Sequence, residues 1–165
     1  MNQTLILLTS MTIGFISWAI IANFWLIPWL KINPFHKGLA LLTIPHVFRY
    51  IGLSFLITGV TTSPLDPRFA LPAAYGDLLS AVLALVAVMA LLMKSRYSVS
   101  LLWIFNILGF IDFLVAVIQG LRYTHPAEMG ATYFIPILAV PLLFVSHLLI
   151  FWVLIIYKSH KRSCK

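Results

Sequence analysis

Six polar residues interrupt long apolar runs in this chain: His46, Arg49, Asp77, Asn106, Asp112 and His147. Two carboxylates, one guanidinium, two imidazoles and one amide can hold and pass on a proton, bind a cation or hold a cofactor. Ionisable groups are rare and costly inside a membrane, and those that occur mark ion pathways, proton relays and ligand sites. Arg49 follows His46 by three residues, which places both on nearly one helix face. Arg49 is expected to neutralise only one of Asp77 and Asp112, so the other carboxylate must carry a proton or meet a cation in low dielectric. That imbalance predicts proton-linked transport or sensing of a small solute or ion. Asp77 and Asp112 would exchange protons or bind a cation, Arg49 would tune them, and His46 and His147 would relay or gate.

Two other readings use the same residues. His46 and His147 come from different segments at similar depth, as two axial ligands of a b-type haem must, with Arg49 holding a propionate. Alternatively, the polar residues pair helices in a structural or assembly subunit of a membrane complex. No thiol or carboxylate lies at the level of the two histidines, so a metal site is not expected. Ser146 precedes His147, but helical neighbours point about 100° apart, so no nucleophile–base dyad is read there. His125 and Glu128 read as a solvated loop, and Asp66-Pro67-Arg68 as a turn. No phosphate-binding loop, nucleophile elbow, HExxH helix or CxxC pair is present, and no catalytic residue is assigned. Pro45-His46-Val47-Phe48-Arg49, Tyr75-Gly76-Asp77 and the stretch from Asn106 to Asp112 have the look of signature strings.

The elements that must position these groups follow from composition. Of 165 residues, 62% are hydrophobic and 9% charged, with a mean hydropathy of +1.04. Soluble domains carry about 25% charged residues. So few charges cannot cover a water-facing surface, which excludes a soluble enzyme, a disordered chain and a nucleic-acid-binding domain. Five apolar segments, roughly 5–30, 39–60, 69–93, 99–121 and 131–157, reach the ~20 residues needed to cross a bilayer. In lipid every backbone polar group must be satisfied within the segment, so each is a helix, and the runs lack the alternation of barrel strands. The fold class is therefore all-α: one polytopic domain of five transmembrane helices followed by a basic tail at 158–165.

Orientation comes from the basic residues. Lys31, Lys37, Lys94, Arg96, Lys158, Lys161, Arg162 and Lys165 fall on one side, against Arg68 and Arg122 on the other. The positive-inside rule then puts the N-terminus outside and the C-terminus in the cytoplasm. Tyr97, Trp103, Trp152 and Tyr157 fit an inner aromatic belt, and Tyr75, Tyr123 and Tyr133 an outer one. Segment 1 lacks a basic n-region and is too long for a signal peptide, so it reads as a retained helix. Asn2-Gln3-Thr4 is a chance sequon against the membrane. Cys164 is the single cysteine and allows no internal disulfide. Short loops point to a bacterial cytoplasmic (inner) membrane.

At ~1.5 Å per residue, His46 and Asn106 lie roughly 10 Å from the inner side, and Arg49 and His147 roughly 15 Å. Asp112 lies roughly 20 Å and Asp77 roughly 24 Å from the same side. An inner level of His46, Asn106 and His147 and an outer level of Asp77 and Asp112 result, with Arg49 between. Gly76, Ser80 and Ala84, four apart, form a small-residue ladder for close helix packing, and Gly52 and Gly59 fall on nearly one face. Pro136 and Pro141 should bend the last helix. No internal repeat is evident. A bundle of five helices would need a homo-oligomer or a membrane-protein partner to build a pathway.

Overall fold

A computed structural model describes residues 2–163, with side chains as far as residue 156. Cys164, Tyr157 and the basic side chains of the tail lie outside the described side chains. The described chain is all-α. It folds into five helices that are each long and apolar enough to cross a membrane: α1 (Gln3–Ile32), α2 (Phe35–Leu56), α3 (Pro67–Leu92), α4 (Ser98–Tyr123) and α5 (Gly130–Ile156). A multi-pass arrangement in a lipid bilayer is what such spans imply. Large apolar side chains such as Ile13, Leu85, Ile111 and Ile155 face outward, as lipid permits.

Helix ends follow local chemistry. The Asn2 side chain caps α1 by accepting from the Thr4 amide at 3.0 Å, so the apparent sequon works as an N-cap. Asp66 is more than a turn residue. Its carboxylate accepts from the Arg68 amide at 2.8 Å and caps α3, with Pro67 in the first turn. Arg68 also pairs with it at 2.6 Å. These hydrogen bonds from Arg68 hold the Asp66 carboxyl down at about 2, so the cap stays ionised until the pH falls that far. His125 and Glu128 close a small capping box in the α4–α5 loop.

α2 begins and ends earlier than hydropathy suggests, at Phe35 and Leu56 rather than near 39 and 60. Gly59 lies beyond its end at φ +96° with open space around it. It is a turn residue and shares no packing face with Gly52. The α2–α3 loop is tied to the α4–α5 connection by Ala131 N–H to the Val60 carbonyl (2.8 Å) and Thr62 N–H to the Glu128 carbonyl (3.0 Å). A side chain on Gly130, at φ +53°, would run into the Val60 carbonyl of that latch.

Three of the five helices change pitch. α2 is α-helical to Val47 and then 3₁₀ from Phe48 to Leu56. The change follows Pro45, which offers no N–H to the ladder. Nine residues is long for a 3₁₀ run, since three or four is usual. α1 carries a π segment at Ala22–Leu26, ahead of Pro28, and α5 carries another at Ile135–Ala139, ahead of Pro141. The expected disturbance of α5 by Pro136 and Pro141 therefore takes the form of a π segment.

α3 is the hub. It packs on α2 and α4, and its small residues Ala73, Ala74, Ala84 and Ala87 are almost fully buried in those contacts. One apolar cluster, built on Leu39, Leu91, Leu102, Phe105, Ile150 and Leu154, fills the end of the bundle that holds the α3–α4 turn. A second, built on Phe55, Leu65, Phe69 and Ala73, fills the end that holds the N-terminus. The polar residues occupy the layer between. α1 is peripheral, with only Leu7 and Ala22 buried, and rests against α5. Gly14 makes that contact, because a Cβ there would stand 2.9 Å from both the Ile137 carbonyl oxygen and Pro141 Cγ. Gly14→Leu should therefore push α1 off α5. The expected cost is about 1–3 kcal/mol, read as a lowered midpoint of unfolding in detergent. An unchanged midpoint would show that α1 does not depend on this contact.

Candidate functional site

The 3₁₀ part of α2 decides the geometry of the polar layer. With three residues per turn, side chains three apart eclipse. Arg49, Gly52 and Phe55 therefore form one straight stripe, and they are the buried residues of this stretch. In an α-helix the same three would drift about 60° per step. The stripe faces α3 and α4.

Arg49 is held by three groups. Its Nε donates to Asp77 Oδ1 of α3 at 2.7 Å, and its Nη2 to Asp112 Oδ2 of α4 at 2.6 Å. Its Nη1 donates to the Gly109 carbonyl of α4 at 2.9 Å. The guanidinium side chain is 1% exposed, against 14% for Asp77 and 23% for Asp112. Ser80 of α3 donates to Asp112 Oδ2 at 3.3 Å. Arg49 carries charge enough to neutralise only one aspartate, yet its planar fork reaches both. Guanidinium has five donors in a fixed geometry suited to this, where a lysine would offer a point charge.

Two glycines make the room. Gly52 is eclipsed with Arg49, and a Cβ on it would overlap the Asp77 carboxylate. A Cβ on Gly76 would overlap the Asp112 carboxylate in the same way. The small ladder of Gly76, Ser80 and Ala84 accordingly does two jobs: Gly76 and Ser80 seat Asp112, and Ala84 packs in the apolar core.

The histidines form a second cluster one turn away. His46 Nε2 lies 2.8 Å from Ser146 Oγ, and that hydroxyl is 3.0 Å from the Leu143 carbonyl. The hydroxyl proton goes to the carbonyl, so His46 Nε2–H donates to Ser146. Asn106 Nδ2 donates to the His147 carbonyl at 3.3 Å, so its Oδ1 accepts from His147 Nδ1–H at 2.7 Å. Both tautomers follow from these bonds. His46 Nδ1 and His147 Nε2 are left buried with no hydrogen-bond partner among the described residues. The two rings lie 4.1 Å apart, and Phe105 packs on both. Ser146 therefore serves His46 across the helix interface and not its neighbour His147. Sequence reasoning had no signal for this pairing between α2 and α5.

Gly109 joins the clusters. Its carbonyl binds Arg49, and its Cβ position is 3.3 Å from His147 Cε1 and 3.5 Å from Arg49 Nη1. On α4, Asn106, Gly109 and Asp112 repeat every three residues; Asn106 binds His147, and Gly109 and Asp112 bind Arg49. Asn106 and Asp112 do not share one cluster.

Two cavities reach the ion cluster. The larger, about 540 Å³, runs from the end of the bundle that holds the N-terminus, between Arg68 and Tyr123, down to Arg49 and Asp77. Arg68 lies over the Tyr123 ring at its mouth, 4.3 Å from the centroid. The second, about 510 Å³, is a groove between α2 and α5 that meets Arg49 and Asp77 from the side. Its rim is formed by exposed apolar residues such as Phe48, Ile51 and Leu138.

The histidines do not fit a haem. A metal–imidazole bond of ~2 Å on each side of an iron would hold the ring centroids about 6 Å apart with a macrocycle between them. At 4.1 Å the rings are in mutual contact. Arg49, the expected propionate partner, is occupied by Asp77 and Asp112. Among the described residues no group of three or more His, Cys, Asp or Glu could hold a metal ion.

Fold and site together define an all-α protein with five candidate membrane-spanning helices, an arginine shared by two buried carboxylates and a histidine cluster beside it. The chain belongs to a family described as a domain of unknown function (DUF8737), whose model matches residues 6–155. No curated protein and no solved structure matches it.

Gly76→Ala should destabilise the bundle by about 1–3 kcal/mol through overpacking. Asp112→Ala should relieve part of that cost, so a double-mutant cycle in detergent should give a coupling above ~0.5 kcal/mol. Additive effects would separate Gly76 from the seat of Asp112. Protein purified from haem-replete cells should show no Soret band. A band that vanishes in His46→Ala would mean that the rings part to admit a porphyrin.

Proposed function

We propose that this protein carries out proton-linked transport or sensing of a small solute or ion in a bacterial cytoplasmic membrane, with the Arg49–Asp77–Asp112 cluster as the exchanging group. One observation supports this reading above the others: a single buried guanidinium answers two carboxylates, and it and Asp77 line two cavities. With all three ionised the cluster carries one surplus negative charge among apolar helices. A proton or a cationic ligand removes that surplus, and its arrival or departure changes which carboxylate Arg49 must satisfy. Such a coupling is what a proton-linked site needs.

In the orientation given by the positive-inside rule, the larger cavity opens outward and the cluster lies at its floor. Asp77 lines both cavities and is the residue a solute would meet. Asp112, seated by Ser80 and Gly76, is the second proton site. The histidines stand on the inner side of Arg49 and relay or gate between the cluster and the cytoplasm. A homo-oligomer or a membrane-protein partner would complete a path through that side.

A second reading, a structural or assembly subunit, draws on the fact that the three bonds of Arg49 tie α2 to both α3 and α4. The two readings separate in one set of measurements. Reconstituted into liposomes with a pH-sensitive dye inside, the protein should carry a pH-dependent proton or solute flux, and Asp112→Asn should abolish it. Persistence of that flux in Asp112→Asn would overturn the transport reading. Strong stability coupling in an Arg49/Asp112 double-mutant cycle, with no flux from the wild type, would favour the structural one.

A further inference from the structure

The two cavities that Asp77 lines differ in what they open to. One leads to the polar loops at the N-terminal end of the bundle, past Arg68 and Tyr123. The other is an apolar groove between α2 and α5 whose rim residues face outward among the lipid-facing side chains. A site with one aqueous mouth and one lateral, apolar mouth suits a molecule that partitions into the bilayer and also carries a polar end. Volumes of about 540 and 510 Å³ fall within the range of sites for drug-sized ligands, ~300–1,000 Å³.

Charge decides which polar end. At the floor, Arg49 is already bound by Asp77, Asp112 and the Gly109 carbonyl, and with both carboxylates ionised the cluster carries one surplus negative charge. An anion there would face the Asp77 carboxylate and a guanidinium already in use. A cation would face Asp77, which is 14% exposed and lines both cavities. Charges at the mouth weigh less, because water screens them and Arg68 is paired with Asp66 at 2.6 Å. Along the walls, Leu7, Phe55, Phe113 and Leu143 present apolar surface, and Thr124, whose buried hydroxyl oxygen has no partner among the described residues, supplies a polar contact near the mouth.

We propose that the solute of this site is an amphipathic organic monocation that enters from the lipid through the α2–α5 groove and seats its charge against Asp77. This rests on the reading of the Arg49 cluster as a solute site and adds the chemical class of the solute and its route. Apolar bulk then fills the larger cavity, where the hydrophobic effect favours burial in proportion to area. The cationic centre supplies the charge that the two carboxylates lack.

Tetraphenylphosphonium is a suitable probe, with tetraphenylborate as its counterpart of like shape and opposite charge. Equilibrium binding of radiolabelled tetraphenylphosphonium to the full chain in mild detergent should be saturable and stoichiometric, and tetraphenylborate should not compete. Asp77→Asn should weaken binding about tenfold or more, since it removes the charge the cation faces. Ala116→Phe, which narrows the larger cavity, and Ala139→Phe, which narrows the groove, should each weaken it severalfold. These two variants carry the test if Asp77→Asn does not fold. Absence of saturable binding, equal binding of tetraphenylborate, or full affinity in both phenylalanine variants would overturn the proposal. pH-dependent proton flux without cation binding would overturn the solute class and leave the proton-linked reading standing. Cation binding without any pH-dependent flux would support the solute class and remove proton linkage.

Discussion

The structure turns on one guanidinium buried among apolar helices. Arg49 lies in the polar layer of the bundle on α2, its side chain 1% exposed although two cavities reach it. A buried charge of that kind must be paired and fully hydrogen-bonded, because desolvation costs several kcal/mol even after relaxation. Asp77, Asp112 and the Gly109 carbonyl meet that demand from two other helices. The mutual placement of α2, α3 and α4 is therefore dictated by the span of one planar fork. Apolar packing flanks the layer, around Phe55 and Phe69 on one side and Leu102 and Phe105 on the other, and the low dielectric it provides strengthens those bonds.

Satisfying Arg49 required backbone adjustments. Between lipid-facing helices there is little hydrophobic force, so close approach depends on small residues. Gly52 and Gly76 are where the carboxylates lie, and any side chain would displace them. The 3₁₀ turn after Pro45 brings Gly52 directly in line with Arg49, so the arginine and the space in front of it belong to one stripe. Pitch changes in α1 and α5 fall beside Pro28 and Pro141, and α1 meets α5 through Gly14 at the latter. The irregular stretches of α2 and α5 border the cavities, which is where membrane proteins tolerate such backbone.

The two polar clusters are adjacent but differently built. Around Arg49 every bond is charge-assisted and the sum of charges is uneven. Around His46 and His147 every bond involves a neutral partner, and one nitrogen on each ring is left bare. Gly109 is the narrow point between them, in contact range of both the guanidinium and the His147 ring. Arg49, which binds both carboxylates, follows His46 by three residues and so joins the two clusters along α2.

Sequence alone determined the number of helices, because a run of some twenty apolar residues must become a helix wherever water cannot satisfy the backbone. It also singled out His46, Arg49, Asp77, Asn106, Asp112 and His147, since ionisable and amide groups stand out against an apolar background. Their grouping by depth followed from the rise per residue along each segment. What distance along a helix cannot convey is rotation and pitch. That Arg49 binds both aspartates depends on the 3₁₀ winding of α2, which the count of residues does not reveal. That Ser146 serves His46 depends on how α5 is turned toward α2, and that the imidazoles touch rather than straddle a haem depends on how closely those helices approach. Gly52 and Gly59 looked alike in spacing, and only the end of α2 at Leu56 separated a seat for a carboxylate from a loop. These are contacts between distant parts of the chain, and they are decided by packing, where a few tenths of an ångström determine whether a side chain fits.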